Sequence, residues 1–231
     1  MPLVTAKNLV KNYGTGDGVV AAVRDMSLTI DKAEFQAIMG ESGSGKSTLL
    51  SILGALNTPT SGTYEVDGLN VYGLGAESRA DFRREYIGFI FQSFHLLPYL
   101  TLLENVMLPL AVVDRNRRQK REMAAEALKK VGLGGKEERL PGQISGGEQE
   151  RVAIARAIVN EPPLLLADEP TGNLDTRTTH EIMGLLHALN GQGMTIAMVT
   201  HNPACAAEAG RILRVSDGLI IEDGVPGGLC V

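Results

Sequence analysis

The nine residues Gly40-Glu41-Ser42-Gly43-Ser44-Gly45-Lys46-Ser47-Thr48 limit what this chain can fold into more than any other stretch. They fit the P-loop pattern G-x-x-x-x-G-K-[ST] at every specified position. The mostly apolar run Phe35–Met39 precedes them as a short strand, and Lys46 to Leu56 continues with helical apolar spacing until Pro59 and Gly62 end it. Strand, loop and helix thus stand in the order the motif requires. In such a loop the backbone N–H groups surround phosphates, Lys46 reaches the terminal ones and Ser47 ligates Mg²⁺. A nucleoside triphosphate is the expected ligand, with Gly40, Ser42, Gly43, Ser44, Gly45, Lys46, Ser47 and Thr48 as its contacts. The motif leaves Glu41, Ser42 and Ser44 free, and turn formation is their alternative role; Glu41 is assigned no chemistry.

A second glycine segment, Ser145-Gly146-Gly147, also leads into a helical pattern, but it carries neither a lysine nor a metal-binding hydroxyl after the glycines. It reads as an assisting phosphate contact. Leu164-Leu165-Leu166-Ala167-Asp168-Glu169 then places two carboxylates at the C-terminal end of an apolar strand, where ligands of open α/β sheets bind. Asp168 suits holding Mg²⁺ through water, and Glu169 suits polarising a water for in-line attack on the γ-phosphorus.

Around these motifs the chain reads as an α/β core with an insertion. Leu3 to Phe35 reads as short strands broken by Gly14-Thr15-Gly16-Asp17-Gly18, and Gly62 to Val71 and Tyr86 to Phe91 read as further strands. From Ser93 to Asn160 the pattern turns helical, with Met123, Ala124, Ala127, Leu128 and Val131 spaced along one face between Arg115 and Val131. Leu164–Ala167 and Thr195–Val199 resume the buried strands, with a helix from Thr178 to Asn190 between them. The expected division is one domain: a catalytic core with a β subdomain over 1–92 and 161–223, a helical subdomain over 93–160, and a flexible tail over 224–231.

Several function classes lose support from composition. With 22 Lys+Arg against 27 Asp+Glu, the net charge of −5 argues against a generic nucleic-acid binder. No charge-free apolar run approaches the roughly 20 residues that span a bilayer, and the N-terminus lacks the basic region and apolar stretch of a leader. A soluble chain is expected, with any membrane role supplied by a partner. Cys205 and Cys230 have neither metal-ligand nor C-x-x-C spacing, which points to a reduced cytosolic setting with one packed thiol and one tail thiol.

Taken in order, Gly40 to Thr48, Gln92, Ile144-Ser145-Gly146-Gly147-Glu148, Asp168-Glu169-Pro170, Asn173-Leu174-Asp175 and His201 resemble the ATP-binding subunit of an ABC transporter. The resemblance covers most of the chain. It implies a P-loop NTPase core of the ABC ATPase type, with an N-terminal antiparallel β subdomain and an inserted α-helical subdomain. It also implies ATP and Mg²⁺ as ligands, and a head-to-tail homodimer in which Ser145, Gly146 and Gly147 meet the γ-phosphate of ATP held by the other subunit's P-loop. By the same resemblance Gln92 senses Mg²⁺ and the γ-phosphate, His201 is the switch histidine, and Glu169 positions the attacking water. Asp175 crosses the dimer interface, and Tyr13 stacks on adenine. Two departures stand in the signature, Ile144 for leucine and Glu148 for glutamine; both leave the serine and the glycines in place. Glu150, where the family often carries Gln or Arg, adds an acid near a helix start that favours the helix dipole and weakens attraction for phosphate.

Phe91-Gln92-Ser93-Phe94-His95-Leu96-Leu97-Pro98, Leu103-Glu104-Asn105-Val106 and Thr171-Gly172-Asn173-Leu174-Asp175 are similar to the branch containing lipoprotein-releasing and macrolide-exporter ATPases. That similarity implies an integral membrane permease partner driven by mechanotransmission, and a peripheral position on the cytoplasmic face of the bacterial inner membrane. Phe94, Leu96, Leu97, Tyr99 and Leu100 read either as a groove for a short helix of that partner or as ordinary subdomain core. Two alternatives remain open at this level: an ATP-gated regulatory scaffold of the cell-division type, and a soluble ABC ATPase without a membrane subunit.

Overall fold

The structure, a computed structural model, describes residues 2–14 and 18–226. Along the chain run β1 (Pro2–Tyr13), β2 (Val20–Asp31), β3 (Phe35–Met39), α1 (Lys46–Leu53), β4 (Ser61–Val66), β5 (Leu69–Asn70), α2 (Ala76–Tyr86), β6 (Ile87–Ile90), α3 (Leu102–Met107) and α4 (Arg117–Lys130). They are followed by α5 (Gly146–Ile158), β7 (Leu164–Asp168), α6 (Thr176–Gly191), β8 (Thr195–Thr200), α7 (Pro203–Ala207), β9 (Arg211–Ser216) and β10 (Leu219–Gly224).

The short apolar runs pair in parallel. β3 lies between β8 and β9, β7 lies between β8 and β6, and the six-stranded sheet runs β10-β9-β3-β8-β7-β6 with only β10 antiparallel to its neighbour. Such strands are apolar at consecutive positions because both faces are covered. Leu164 and Leu166 of β7 point into one core with Ala197 and Val199, whereas Leu165 and Ala167 point into the other with Ile196 and Met198. The first core is closed by the antiparallel sheet β2-β1-β4-β5 and by α1; the second is closed by α3, α4, α5 and α6. Each fully buried Leu or Ile in these cores contributes roughly 1.5–3 kcal/mol relative to exposure.

Register explains why the functional side chains meet. Met39 pairs with Thr200, Asp168 with Val199, and Ile90 with Ala167, so the strands end together along one edge of the sheet. Gly40, Gln92, Glu169 and His201 all leave from that edge.

Several local expectations change. The opening segment is not a set of short strands but two strands of 12 residues each. Their pairing shifts register around Asn8 and Asp25, which take positive φ (51° and 57°) and are joined by an Asn8 Nδ2 to Asp25 Oδ1 hydrogen bond of 2.7 Å. α1 stops at Leu53, short of Leu56. A Cβ on Gly54 would meet the Phe89 ring at 3.0 Å, and Ala55 turns the chain with φ 52°. Gly62–Val71 is a hairpin, with the left-handed turn Asp67-Gly68 between β4 and β5, and Tyr86 ends a helix instead of opening β6. Gly224, placed at the start of a tail, is a strand residue paired with Ile212, and Val225 and Pro226 follow outside any strand; 227–231 of that expectation, with Cys230, lies outside the described residues, as does 15–17 of the Gly14–Gly18 loop.

Candidate functional site: two helix starts and a carboxylate edge

The P-loop is folded by its glycines. Gly43 and Gly45 have φ 81° and 102°, and a Cβ on Gly45 would lie 2.2 Å from the Ala22 carbonyl oxygen. Gly40 is as tightly held, since a Cβ there would lie 2.1 Å from the carbonyl oxygen of Val215. Gly45 is the N-cap of α1, and no side chain caps the helix. The first N–H groups of α1 therefore have no protein partner within the helix, and the first turn holds no acid. That is an anion site by construction. Lys46 is buried along its length and donates from Nζ to the Glu41 carbonyl at 2.6 Å.

Beside this loop the sheet edge collects the carboxylates. Ser47 Oγ donates to Asp168 Oδ1 at 3.2 Å, and burial pushes the Asp168 carboxyl up from the usual range, partly offset by that hydrogen bond. Glu169 is forced into φ 48°, with its N–H donating to the Val199 carbonyl at 2.9 Å. This strained turn aims its side chain. Gln92 Nε2 donates to Glu169 Oε2 at 3.3 Å, and His201 Nδ1 lies 3.0 Å from Glu169 Oε1. The residue order along the sequence gives Gln92 and His201 no obvious link; the parallel register puts them on opposite oxygens of one carboxylate.

Ser145 caps α5. Its hydroxyl accepts from the Glu148 N–H at 3.3 Å, while Glu148 Oε2 accepts from the Ser145 N–H at 2.8 Å and from Oγ at 3.0 Å. Glu148 also pairs with Lys136, and these donors, Lys136 first, pull its carboxyl down to about 2. Gly147 has to be glycine: a Cβ would meet Thr178 Cγ2 at 2.3 Å. Thr178 is itself held by Asp175, the N-cap of α6, through its N–H (3.0 Å) and its hydroxyl (2.6 Å); those bonds lower the Asp175 pKa. Ser145, Gly146 and Gly147 make no hydrogen bond to Gly40–Thr48 among the described residues.

Tyr13 is exposed, with its hydroxyl 2.5 Å from Asn57 Nδ2 and Lys11 Nζ 5.0 Å from its ring centroid. Glu150 requires a correction. It is 1% exposed within α5, and burial raises its carboxyl to about 8, so at neutral pH it is held largely protonated. It adds no net charge at the helix start. The negative charge beside Ser145 is that of Glu148.

Four further residues support the site, Asn173 and Asn105 from segments that carry the resemblance but have no role assigned there, and Arg156 and Lys136 without having stood out in the sequence. Asn173 Nδ2 donates to the Gln92 carbonyl at 3.1 Å. Arg156 donates to the carbonyls of Phe94 (2.7 Å) and His95 (2.6 Å), and buried Asn105 bonds Leu97, Leu100 and Thr101. Together they tie the chain after Gln92 to α5 and α3. Lys136, paired with Glu148, is the fourth; a salt bridge between separate segments leaves no spacing signal.

In the stretch Phe94–Leu100 the apolar Phe94, Leu96, Leu97 and Leu100 are half-buried, Leu96 packing on the core, while His95, Pro98 and Tyr99 are exposed. An apolar trough of about 360 Å³ lies elsewhere, lined by Leu56, Ile87, Phe89, Leu108 and Val112 together with Arg83 and Arg84.

Residues 23–172 match the ABC transporter family. The chain is 46% identical over 96% of its length to the uncharacterized ABC transporter ATP-binding protein YvrO of Bacillus subtilis, again covering 96% of that relative. It is also 46% identical to the macrolide export ATP-binding/permease protein MacB 1/2 of Paracoccus denitrificans, where it spans 33% of the relative's length and 96% of its own. The chain thus spans about a third of the macrolide-export relatives it matches. Among solved structures it superposes on the ATP-binding cassette MJ0796, in a dimeric post-hydrolysis state bound to ADP and Pi, with TM-score 0.88, 42% identity, and coverage of 98% of this chain and 100% of that one. The chain belongs to the ABC transporter family, as one of its ATP-binding subunits.

Proposed function

We propose that the chain hydrolyses ATP and drives a membrane partner, working as a head-to-tail dimer that closes on two ATP molecules. The observation that carries the hydrolytic reading is the Glu169 carboxylate gripped by Gln92 on one oxygen and His201 on the other, one residue after Asp168. In this reading the α1 N-terminus, Gly40–Thr48 and Lys46 take the β- and γ-phosphates. Tyr13 lies against the adenine. Glu169 orients a water in line with the γ-phosphorus and accepts its proton, while His201 fixes the carboxylate's orientation.

The donor set fits Mg²⁺. Ser47 Oγ and Asp168 Oδ1 are hard oxygens 3.2 Å apart, and Gln92 reaches the neighbouring Glu169 from the same sheet edge. Such sparse protein ligation suits an ion that keeps waters and substrate phosphates as its other ligands. Ser47, Asp168 and Gln92 would hold it, and it would neutralise phosphate charge.

Ser145, Gly146 and Gly147 then serve the nucleotide of a second copy. The dimeric state of the MJ0796 cassette supports this. Asp175, exposed at the start of α6, lies at the same interface and reaches Gly147 through Thr178. A permease partner is supported by the relatives named as macrolide export ATP-binding/permease proteins, and the apolar trough beside α2 suits a short amphipathic helix of such a partner. No helix among the described residues is long and apolar enough to cross a membrane, so a place at the cytoplasmic face of a bacterial inner membrane would be peripheral. Division of the chain into a core, a 93–160 helical subdomain and a short tail belongs to the same proposal.

The test is E169Q. Retained ATP affinity, lost phosphate release and an ATP-stabilised dimer on size exclusion support the proposal; wild-type turnover by E169Q overturns the role given to Glu169.

A further inference from the structure

The signature segment of this chain carries a carboxylate where it has to receive phosphate. Glu148 sits in the first turn of α5, with Oε2 bonded to the N–H and hydroxyl of Ser145. A carboxylate so close to an incoming γ-phosphate opposes binding, because both are negative and the intervening medium is only partly aqueous. Its other oxygen, Oε1, faces the ammonium of Lys136. Both partners are half-buried, with side chains 33% and 25% exposed.

Lys136 comes from the connection between α4 and α5, and that connection is firmly placed. The Lys136 N–H donates to Leu133 at 3.2 Å, the Arg139 N–H donates to Lys136 at 3.0 Å, and α3 begins with Leu102 and Leu103 donating to Arg139 and Glu137. The ammonium is therefore delivered from a fixed backbone. Of the ion pairs among the described residues, this is the one with a partner bonded directly to Ser145.

We infer that Lys136 is a positioning residue for the phosphate site in trans: it neutralises the Glu148 carboxylate bonded to Ser145, so that the start of α5 at Ser145, Gly146 and Gly147 can accept the partner copy's γ-phosphate. The inference rests on the dimer reading above. It makes the glutamate at the signature tolerable, and it predicts that Glu148 and Lys136 are coupled energetically, whereas ATP bound to one copy's own P-loop is indifferent to both.

The test uses the full chain with E169Q throughout, and reads the ATP concentration at half-maximal dimerisation by light scattering alongside the affinity of the monomer for a fluorescent ATP analogue. K136A should raise the dimerisation midpoint about ten-fold while K136R keeps it within about two-fold. In the E148Q background K136A should shift the midpoint by less than about two-fold, since no charge is left to neutralise. Monomer affinity for the analogue should stay within about two-fold throughout. K136Q, a second neutral variant, repeats the measurement if K136A fails to fold. An unchanged K136A midpoint, or an equal shift with and without E148Q, overturns the inference alone. Failure of E169Q itself to dimerise with ATP overturns the head-to-tail reading and the inference together.

Discussion

The two glycine-led helix starts of this chain are built in opposite ways. α1 has no side-chain cap and no acid in its first turn; its N-cap Gly45 is in the left-handed region, and Lys46 lies buried beside it. α5 is already capped. Ser145 and Glu148 satisfy each other's N–H groups, and Glu148 is paired with Lys136. An uncapped start leaves several donors for an anion, while a capped one, whose serine hydroxyl and N–H already donate to Glu148, leaves the N–H groups of its glycines. The difference separates a site that binds phosphate in its own right from one that completes a site elsewhere.

The comparison can be broken at its strongest point first. K46A should abolish ATP binding by the monomer, more than about 100-fold by calorimetry, because a buried ammonium beside the phosphates is lost. E169Q comes next, with kcat lowered at least about 100-fold and ATP affinity kept. If both variants lose binding equally, the separation of binding from hydrolysis fails. S145A should cost about 1 kcal/mol of folding stability as a lost N-cap. It should also raise the ATP needed for dimerisation, with monomer affinity unmoved; a fall in monomer affinity would place Ser145 in the same-chain site.

The smallest effect concerns Glu150. Its folded pKa is about 8 against an ordinary 4.5, so between those values the native state holds a proton that the unfolded chain has released. Stability should therefore be highest below pH 4.5 for this group and fall as pH rises toward 8, flattening beyond. E150Q, neutral at every pH, should remove this term, so its melting temperature should gain on the wild type steadily across that window by thermal denaturation. A difference that does not change with pH contradicts a buried, protonated Glu150.

What the sequence disclosed follows the same contrast. The P-loop is legible because its backbone demands particular residues at fixed spacing: Gly43 and Gly45 at positive φ, and Lys46 directly after. The strand runs were legible for a similar reason, since parallel strands buried on both faces read as continuous apolar stretches. α2 was not, because its eleven residues bury only Phe82 and carry no apolar stripe. The long bent strands β1 and β2 were hidden by Asn8 and Asp25, which look like turn residues and act as bulges. Depth was hidden as well. Glu150 reads as a surface acid until the packing of α5 buries it, and Lys136 gains meaning only from Glu148, to which folding brings it.

The central claim is that the two glycine segments meet on one ATP only between copies. The direct measurement is disulfide formation between S42C and G146C in chains that also carry E169Q, C205S and C230S. Ser42 is exposed, and a side chain at Gly146 meets nothing closer than Phe94 Cζ at 3.9 Å. Mixing the two single-cysteine proteins should give a cross-linked dimer only when ATP is present. Cross-linking within one chain carrying both cysteines, in the absence of ATP, or its failure between copies that have dimerised, would contradict the account.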